Sequence, residues 1–173
     1  MRPAVAADAP ALSALVQESF NQFVAPDWQP EACEVFMTES SVEWFTSSIP
    51  QAAYAAVAHA ADELVGMVLM PTPSVLAFLF VRPGLLRSGI GSLLWEAARA
   101  HIETHHPSVK TIELNSSPCA VAAYRAYGFY PMSEPFRRGG CLATRMACWL
   151  PGRALAAGAG DTIVPTPTRG DAS

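Results

Sequence analysis

An α/β domain, with a mixed and mostly antiparallel central sheet flanked by helices, follows from three observations on the sequence. An apolar strand at 75–81 runs through a Gly/Arg turn into an amphipathic helix, in the stretch VRPGLLRSGIGSLLWEAAR (81–99). Residues 54–60 and 64–70 are two apolar runs joined by Ala61-Asp62-Glu63, the pattern of a β-hairpin. A further strand at 109–114 is followed by a helix that Ser117 caps, with Pro118 at its first position, and that stops at Gly128. Strands and helices interleaved in this way build a sheet covered by helices.

The elements follow in order. Residues 1–6 read as a short strand, and Asp8 as the N-cap of a helix with Pro10 in its first turn and Leu12, Leu15, Val16, Ser19 and Phe20 at helical spacing. Pro26 and Pro30 interrupt residues 21–50, leaving short helical stretches at 31–37 and 41–47. Trp28, Phe36, Trp44 and Phe45 in this region are candidate pocket residues, although aromatic side chains beside a helix are more often core. LAFLFV (76–81) is apolar at every position, which predicts a strand buried on both faces. Ile90, Leu93, Leu94, Ala97, Ala98 and Ile102 mark one face of a helix that ends near His106-Pro107. Two final antiparallel strands are expected at 129–136 and 142–150, around Arg137-Arg138-Gly139-Gly140. Residues 1–150 thus form one domain, and 151–173, rich in Gly and Pro with no apolar period, read as a flexible tail.

Composition narrows the classes of function. With 51% hydrophobic and 15% charged residues the chain is globular and not disordered. It has no window of 18 apolar residues and no signal-peptide core, so a cytoplasmic protein without a membrane partner is expected. A net charge of -4 argues against nucleic acid and is compatible with a cationic amine as substrate. Cys33, Cys119, Cys141 and Cys148 form no CxxC pair, so reduced thiols and no metal site are expected. His101 and His105 stand at i, i+4, but Glu103 is misplaced for a zinc-binding HExxH and the pair suits a helix C-terminus better.

The turn before residue 90 carries the first chemical signal. Gly89 and Gly91 leave bare backbone where a ligand could approach, the helix behind them offers unpaired N–H groups and a positive dipole end, and Arg87 adds a guanidinium. This is an anion cradle or, in the plainer reading, an ordinary strand-to-helix turn. It is not a P-loop, because Ile90-Gly91 follow Gly89 where Lys-Ser/Thr would be needed, nor a dinucleotide fingerprint, which would need Gly at Leu94.

Val81-Arg82-Pro83 followed by Leu86-Arg87-Ser88-Gly89-Ile90-Gly91 resembles the acyl-CoA-binding motif of the GNAT superfamily of N-acetyltransferases, a strand ending V-x-P and then Q/R-x-x-G-x-G/A. Leu86 departs from that pattern at its first position. Tyr124, Gly128 and Phe129 resemble the family's closing Y-x-x-x-G-F, in the right order behind the first motif. The resemblance covers residues 1–150 and implies a GNAT-like fold with acetyl-CoA as co-substrate and no metal. It implies that backbone groups of Leu79, Phe80 and Val81 hold the pantetheine and the thioester carbonyl. Leu86, Arg87, Ser88, Gly89, Ile90, Gly91 and Ser92 would surround the pyrophosphate, and Asn115 and Ser117 would meet the pantetheine arm.

Tyr124 is the catalytic candidate that the resemblance supplies, as the general acid facing the sulfur. A phenol with a pKa of about 10 stays protonated at neutral pH and can protonate a thiolate whose thiol lies near 8.5. Tyr127, one turn later, illustrates the alternative of a packed core tyrosine. No general base matches a motif; Glu31, Glu34, His59 and Glu113 read as solvated side chains, and water is an alternative proton carrier. Cys119 has no His nearby in sequence to activate it and reads as a small helix-start residue. The implied reaction is direct transfer of an acetyl group to a primary amine, of a small molecule or a peptide, within a ternary complex. A non-catalytic acyl-CoA sensor is the alternative, and the family's frequent dimers leave a homodimer open.

Overall fold

Two half-sheets meet at one narrow seam in the computed structural model, which describes residues 1–150; the tail expected at 151–173 lies outside the described residues. The first half-sheet holds β1 (Arg2–Pro3), β2 (Tyr54–Ala60), β3 (Glu63–Met70) and β4 (Phe78–Val81) in that order, all antiparallel. The second is centred on β8 (Cys141–Trp149), which pairs antiparallel with β5 (Thr111–Ser116), β6 (Tyr130–Pro131) and β7 (Phe136–Arg138). Val75 and Glu113 form a single parallel bridge between the halves. Around it Leu76 N–H donates to Glu113 O at 3.0 Å and Glu113 N–H to Ser74 O at 2.8 Å.

Beyond that bridge β4 and β5 diverge. Ala77 N–H bonds to Leu69 O at 3.1 Å although the register pairs Leu69 with Phe78. Two residues of the incoming chain therefore face one on β3, the arrangement of a bulge, which bends a strand away from its neighbour. The sheet is mixed and mostly antiparallel, as the sequence predicts, but it is open along this gap.

Helices cover both faces. On one, α4 (Ile90–His105) and α5 (Val121–Ala126) pack over a core that includes Leu94, Trp95, Ile102, Ile112, Phe129 and Met146. On the other, α1 (Ala9–Phe23), α2 (Pro30–Thr38) and α3 (Val42–Ser48) close over Leu12, Val16, Phe45, Met67, Leu69 and Phe78. Ser41 caps α3 by accepting from Trp44 N–H at 3.2 Å.

The structure corrects four local expectations. The strand buried on both faces is β3, in which every residue from Leu64 to Met70 is buried, whereas Leu79, Phe80 and Val81 of β4 are only half-buried. Their strand is the edge that borders the gap, so an apolar run there faces a cleft and not a second layer. Residues 129–136 do not form one strand; Pro131 and Pro135 bracket a loop between β6 and β7. Ser117 makes no side-chain cap, since its Oγ lies 3.2 Å from Cys119 Sγ, and the segment begins as a 3-10 turn over Pro118–Ala120 before α5. Asp8 does not cap α1 either: its carboxylate accepts from Val5 N–H at 2.9 Å and pairs with Arg2 at 2.6 Å.

The Arg2 hydrogen bond holds the Asp8 carboxyl below the usual range, against a smaller opposing effect of burial. A depressed carboxylate stabilises the fold above its unfolded pKa of about 3.9, and the effect is lost as pH falls through the lower folded value. Asp8→Asn is therefore expected to lower the melting temperature at pH 7 and to lower it progressively less as pH falls below about 4, as thermal denaturation across that range will read.

Candidate active site

The gap between β4 and β5 widens into a cleft of about 730 Å³. Backbone alternation decides what faces it. Arg82 N–H donates to Val65 O at 2.9 Å, so along β4 the even-numbered residues bond to β3 and the N–H and C=O groups of Leu79 and Val81 turn toward the gap. Ser19 Oγ, from α1, donates to Val81 O at 3.1 Å and leaves the two N–H groups open. On the opposite wall Glu113 spends its backbone groups on Ser74 and Leu76, so the groups of Asn115, two residues on, also face the gap.

The start of α4 forms the second wall. Its first intrahelical bond runs from Leu93 N–H to Gly89 O at 3.0 Å, so the N–H groups of Ile90, Gly91 and Ser92 have no intrahelical acceptor. The turn reaches this point through left-handed backbone at Arg87 (φ 62°) and Gly89 (φ 89°). A non-glycine residue held there is strained, a condition that persists where the surroundings over-determine it. Gly91 is required for a different reason from the one expected: a Cβ would lie 2.5 Å from the Tyr127 hydroxyl, so a protein side chain fills the space assigned to a ligand. Nothing approaches the Cβ position of Gly89, where φ alone calls for glycine.

The third wall is α5, whose ending explains Y-x-x-x-G-F physically. Phe129 N–H donates to Tyr124 O and Gly128 N–H to Arg125 O, at 3.0 and 3.1 Å, with Gly128 at φ 91°. This is a Schellman closure, and its hydrophobic contact is the Tyr124–Phe129 ring pair at 5.6 Å. The motif thus fixes both the end of the helix and the direction of the Tyr124 ring. No side chain among the described residues hydrogen-bonds the Tyr124 hydroxyl, which lines the cleft. Burial, reinforced by Tyr127 and Cys119, pushes its pKa well above the ordinary phenol value.

Of the residues predicted from sequence, Leu79, Phe80 and Val81 line the cleft on β4, and Leu86, Arg87, Gly89, Gly91 and Ser92 line it at the turn. Asn115, Ser117 and Tyr124 complete it from the other half of the fold. Ser88 and Ile90 do not line it. Ile90 instead packs into the core, close against Gly66, and Ser88 N–H closes the turn on Leu85 O at 3.3 Å. Sequence reasoning missed Ser19 and Tyr127, both of which line the cleft. A serine on the apolar face of α1, and a glycine that no backbone angle requires, were the available signals.

Arg87 is the cation of the cleft, because Arg82 turns away to Glu63 and to Leu64 O. No carboxylate or histidine lines this cleft among the described residues. Glu113 is engaged with Arg145 at 2.6 Å, and Arg137 donates to Asp27 O at 3.2 Å. Burial lowers the pKa of His101, which packs against Tyr54 and His105, while His105 Nδ1 lies 2.9 Å from His101 O in the last turn of α4. Among the described residues no group of three His, Cys, Asp or Glu is arranged to hold a metal ion, and no helix is long and apolar enough to cross a membrane.

An open strand gap, a helix start aimed at it and a tyrosine held by a Schellman turn define a class that comparison with known proteins identifies. The family model for the acetyltransferase (GNAT) domain matches residues 24–150, and the chain belongs to that family. It is an acetyltransferase. Its fold is similar to a GCN5-related N-acetyltransferase from Rhodopseudomonas palustris (TM-score 0.74, 19% identity, covering 86% of this chain and 94% of that one). It is also similar to PaiA N-acetyltransferase from Thermoplasma acidophilum in complex with coenzyme A (TM-score 0.71, 18% identity, 86% and 97%). An aminoglycoside 6'-N-acetyltransferase complexed with coenzyme A aligns less closely (TM-score 0.59, 15% identity, 82% and 89%). No curated protein matches the chain by sequence.

Proposed function

We propose that the protein transfers the acetyl group of acetyl-CoA to a primary amine by direct attack within a ternary complex. The observation that carries this reading is the convergence of three groups of atoms on one cleft: the free amides at the start of α4, the gap-facing backbone of Leu79, Val81 and Asn115, and the Tyr124 hydroxyl. The amides of Ile90, Gly91 and Ser92, with Arg87, would hold the pyrophosphate. Backbone N–H groups of β4 would orient the thioester and stabilise charge developing on its carbonyl oxygen. As the amine nitrogen bonds to the carbonyl carbon and the C–S bond breaks, Tyr124 would give its proton to sulfur. The amine proton would leave through water, since no base lines the cleft among the described residues. The free cysteines of the structure support a reducing compartment, the cytoplasm.

Calorimetry with acetyl-CoA and a thiol-release assay over a broad amine panel test this reading together. Tight binding with thiol release that depends on an amine is the expected result; tight binding with no amine acetylated would define a sensor. Leu86 is exposed and supplies no ligand of the usual kind. Arg87→Ala is therefore expected to weaken acetyl-CoA binding by about 1–3 kcal/mol, the scale of a lost charge-assisted contact, with kcat at saturation little changed.

A further inference from the structure

A second cleft, of about 750 Å³, opens over β5, β7 and β8 of the other half-sheet. It shares Ala77 and Asn115 with the first, so the two adjoin at the strand gap. Pairing of Asn115 with Arg145, and of Phe136 with Ala143, places Glu113, Asn115, Phe136, Arg138 and Arg145 on one face of β5, β8 and β7. Its charged lining is two arginines and one glutamate. Both contacts of Arg145, from Nε at 3.2 Å and Nη2 at 2.6 Å, fall on Glu113 Oε2, so Nη1 is left to the cleft. Arg138 makes no hydrogen bond or ion pair among the described residues.

We infer that this second cleft takes the remote end of the acceptor and that this end is a carboxylate, held by Arg145 with Arg138 adding positive charge to the same lining; the inference rests on the acetyl-transfer reading above. The charge balance of the lining is positive, opposite in sign to the chain as a whole and wrong for a polycationic acceptor. Position adds a length. Arg145 stands level with Asn115 in the strand register, but its guanidinium reaches Glu113, which sits at the bridge to Val75, two residues and roughly 7 Å along β5 from the gap at Asn115. The acceptor amine at the gap and the carboxylate beside Arg145 are therefore on different carbons, separated by a short chain, as in an ω-amino acid. Planar bidentate recognition of a carboxylate is the chemistry for which a guanidinium is suited.

The test is a matched series: glycine, β-alanine, γ-aminobutyrate and ε-aminohexanoate against their methyl esters, each assayed for acetylation with saturating acetyl-CoA. The longer acids are expected to exceed their esters by about tenfold to a hundredfold in kcat/KM, the range of a hydrogen bond to a charged group, and glycine to show no such preference. Arg138→Ala and Arg145→Ala should bring the acid-to-ester ratio toward one through KM, with added salt acting in the same direction. Glu113→Gln frees Arg145 and should raise the ratio, an effect that loss of structure would not produce. Equal rates for acids and esters in the unmodified protein, or a lower ratio in Glu113→Gln, would overturn the inference while leaving acetyl transfer intact. Acetyl-CoA binding without acetylation of any amine would remove the underlying reading and the inference with it.

Discussion

Tyr124→Phe is expected to lower kcat by about 100- to 10,000-fold, the range of general acid catalysis, with the dissociation constant of acetyl-CoA essentially unchanged. The substitution is clean because the hydroxyl has no partner to orphan among the described residues, while the ring contact to Phe129 and the backbone closure of α5 do not depend on it. Stability should therefore stay near that of the unmodified protein, which thermal denaturation will check. The pH dependence has a definite sign. A donor works only while protonated, and burial raises the Tyr124 pKa, so the proton is retained beyond the ordinary value of about 10. The profile of kcat/KM should show no alkaline loss from this group below about pH 10. Tyr127→Phe, by contrast, is expected to cost only a few-fold, since the Tyr127 hydroxyl is packed against Gly91. A large loss there with none in Tyr124→Phe would reassign the donor.

Trp95→Ala is expected to destabilise the fold by about 3–5 kcal/mol, the usual cost of emptying a buried tryptophan site. Trp95 is 0% exposed, packs on Phe129 at 4.8 Å, and donates from Nε1 to Tyr127 O at 3.1 Å. The alanine variant leaves both a cavity and a carbonyl without its donor. At roughly 2–4 °C per kcal/mol for a chain of this size, the melting temperature should fall by about 6–20 °C. Trp95 also ties α4 to the end of α5, and so joins Tyr124 to the helix start proposed to bind the pyrophosphate. Saturating acetyl-CoA should recover part of the lost melting temperature, because in the proposed pose it spans both helices and binds only the folded state. Trp95→Phe keeps most of the packing and loses the hydrogen bond, and its expected cost is smaller.

How far the sequence could be read depended on whether a feature is local. The turn at Arg87 to Gly91 and the ending Tyr124 to Phe129 are short-range devices, in which backbone angle, glycine position and helix start are encoded within a few residues. The hairpin of β2 and β3 and the short helices between Pro30 and Ser48 were legible on the same terms. LAFLFV misled because apolarity marks removal from bulk water without saying whether a second layer or a cleft removes it. The arrangement around Glu113 and Arg145 was illegible in principle, since a strand register 32 residues apart creates it. Glu113 alone reads as an exposed carboxylate; only its pairing across β8 makes it part of a lining.

Strand β8 has a consequence for how the chain acquires its shape during synthesis. β5, β6 and β7 each take their partner from β8, which follows all three in the chain. The half-sheet of β1 to β4 has its partners as soon as residue 81 is made, whereas β5 has only the bridge to Val75 until residues 141–149 arrive. Assembly is therefore vectorial. The half-sheet that precedes the proposed anion cradle is translated early and complete, and the wall that carries Asn115 and Tyr124 waits, unpaired, for the final strand. A chain that stops before Cys141 loses the wall of Asn115 and Tyr124 as a unit, however intact its own motifs.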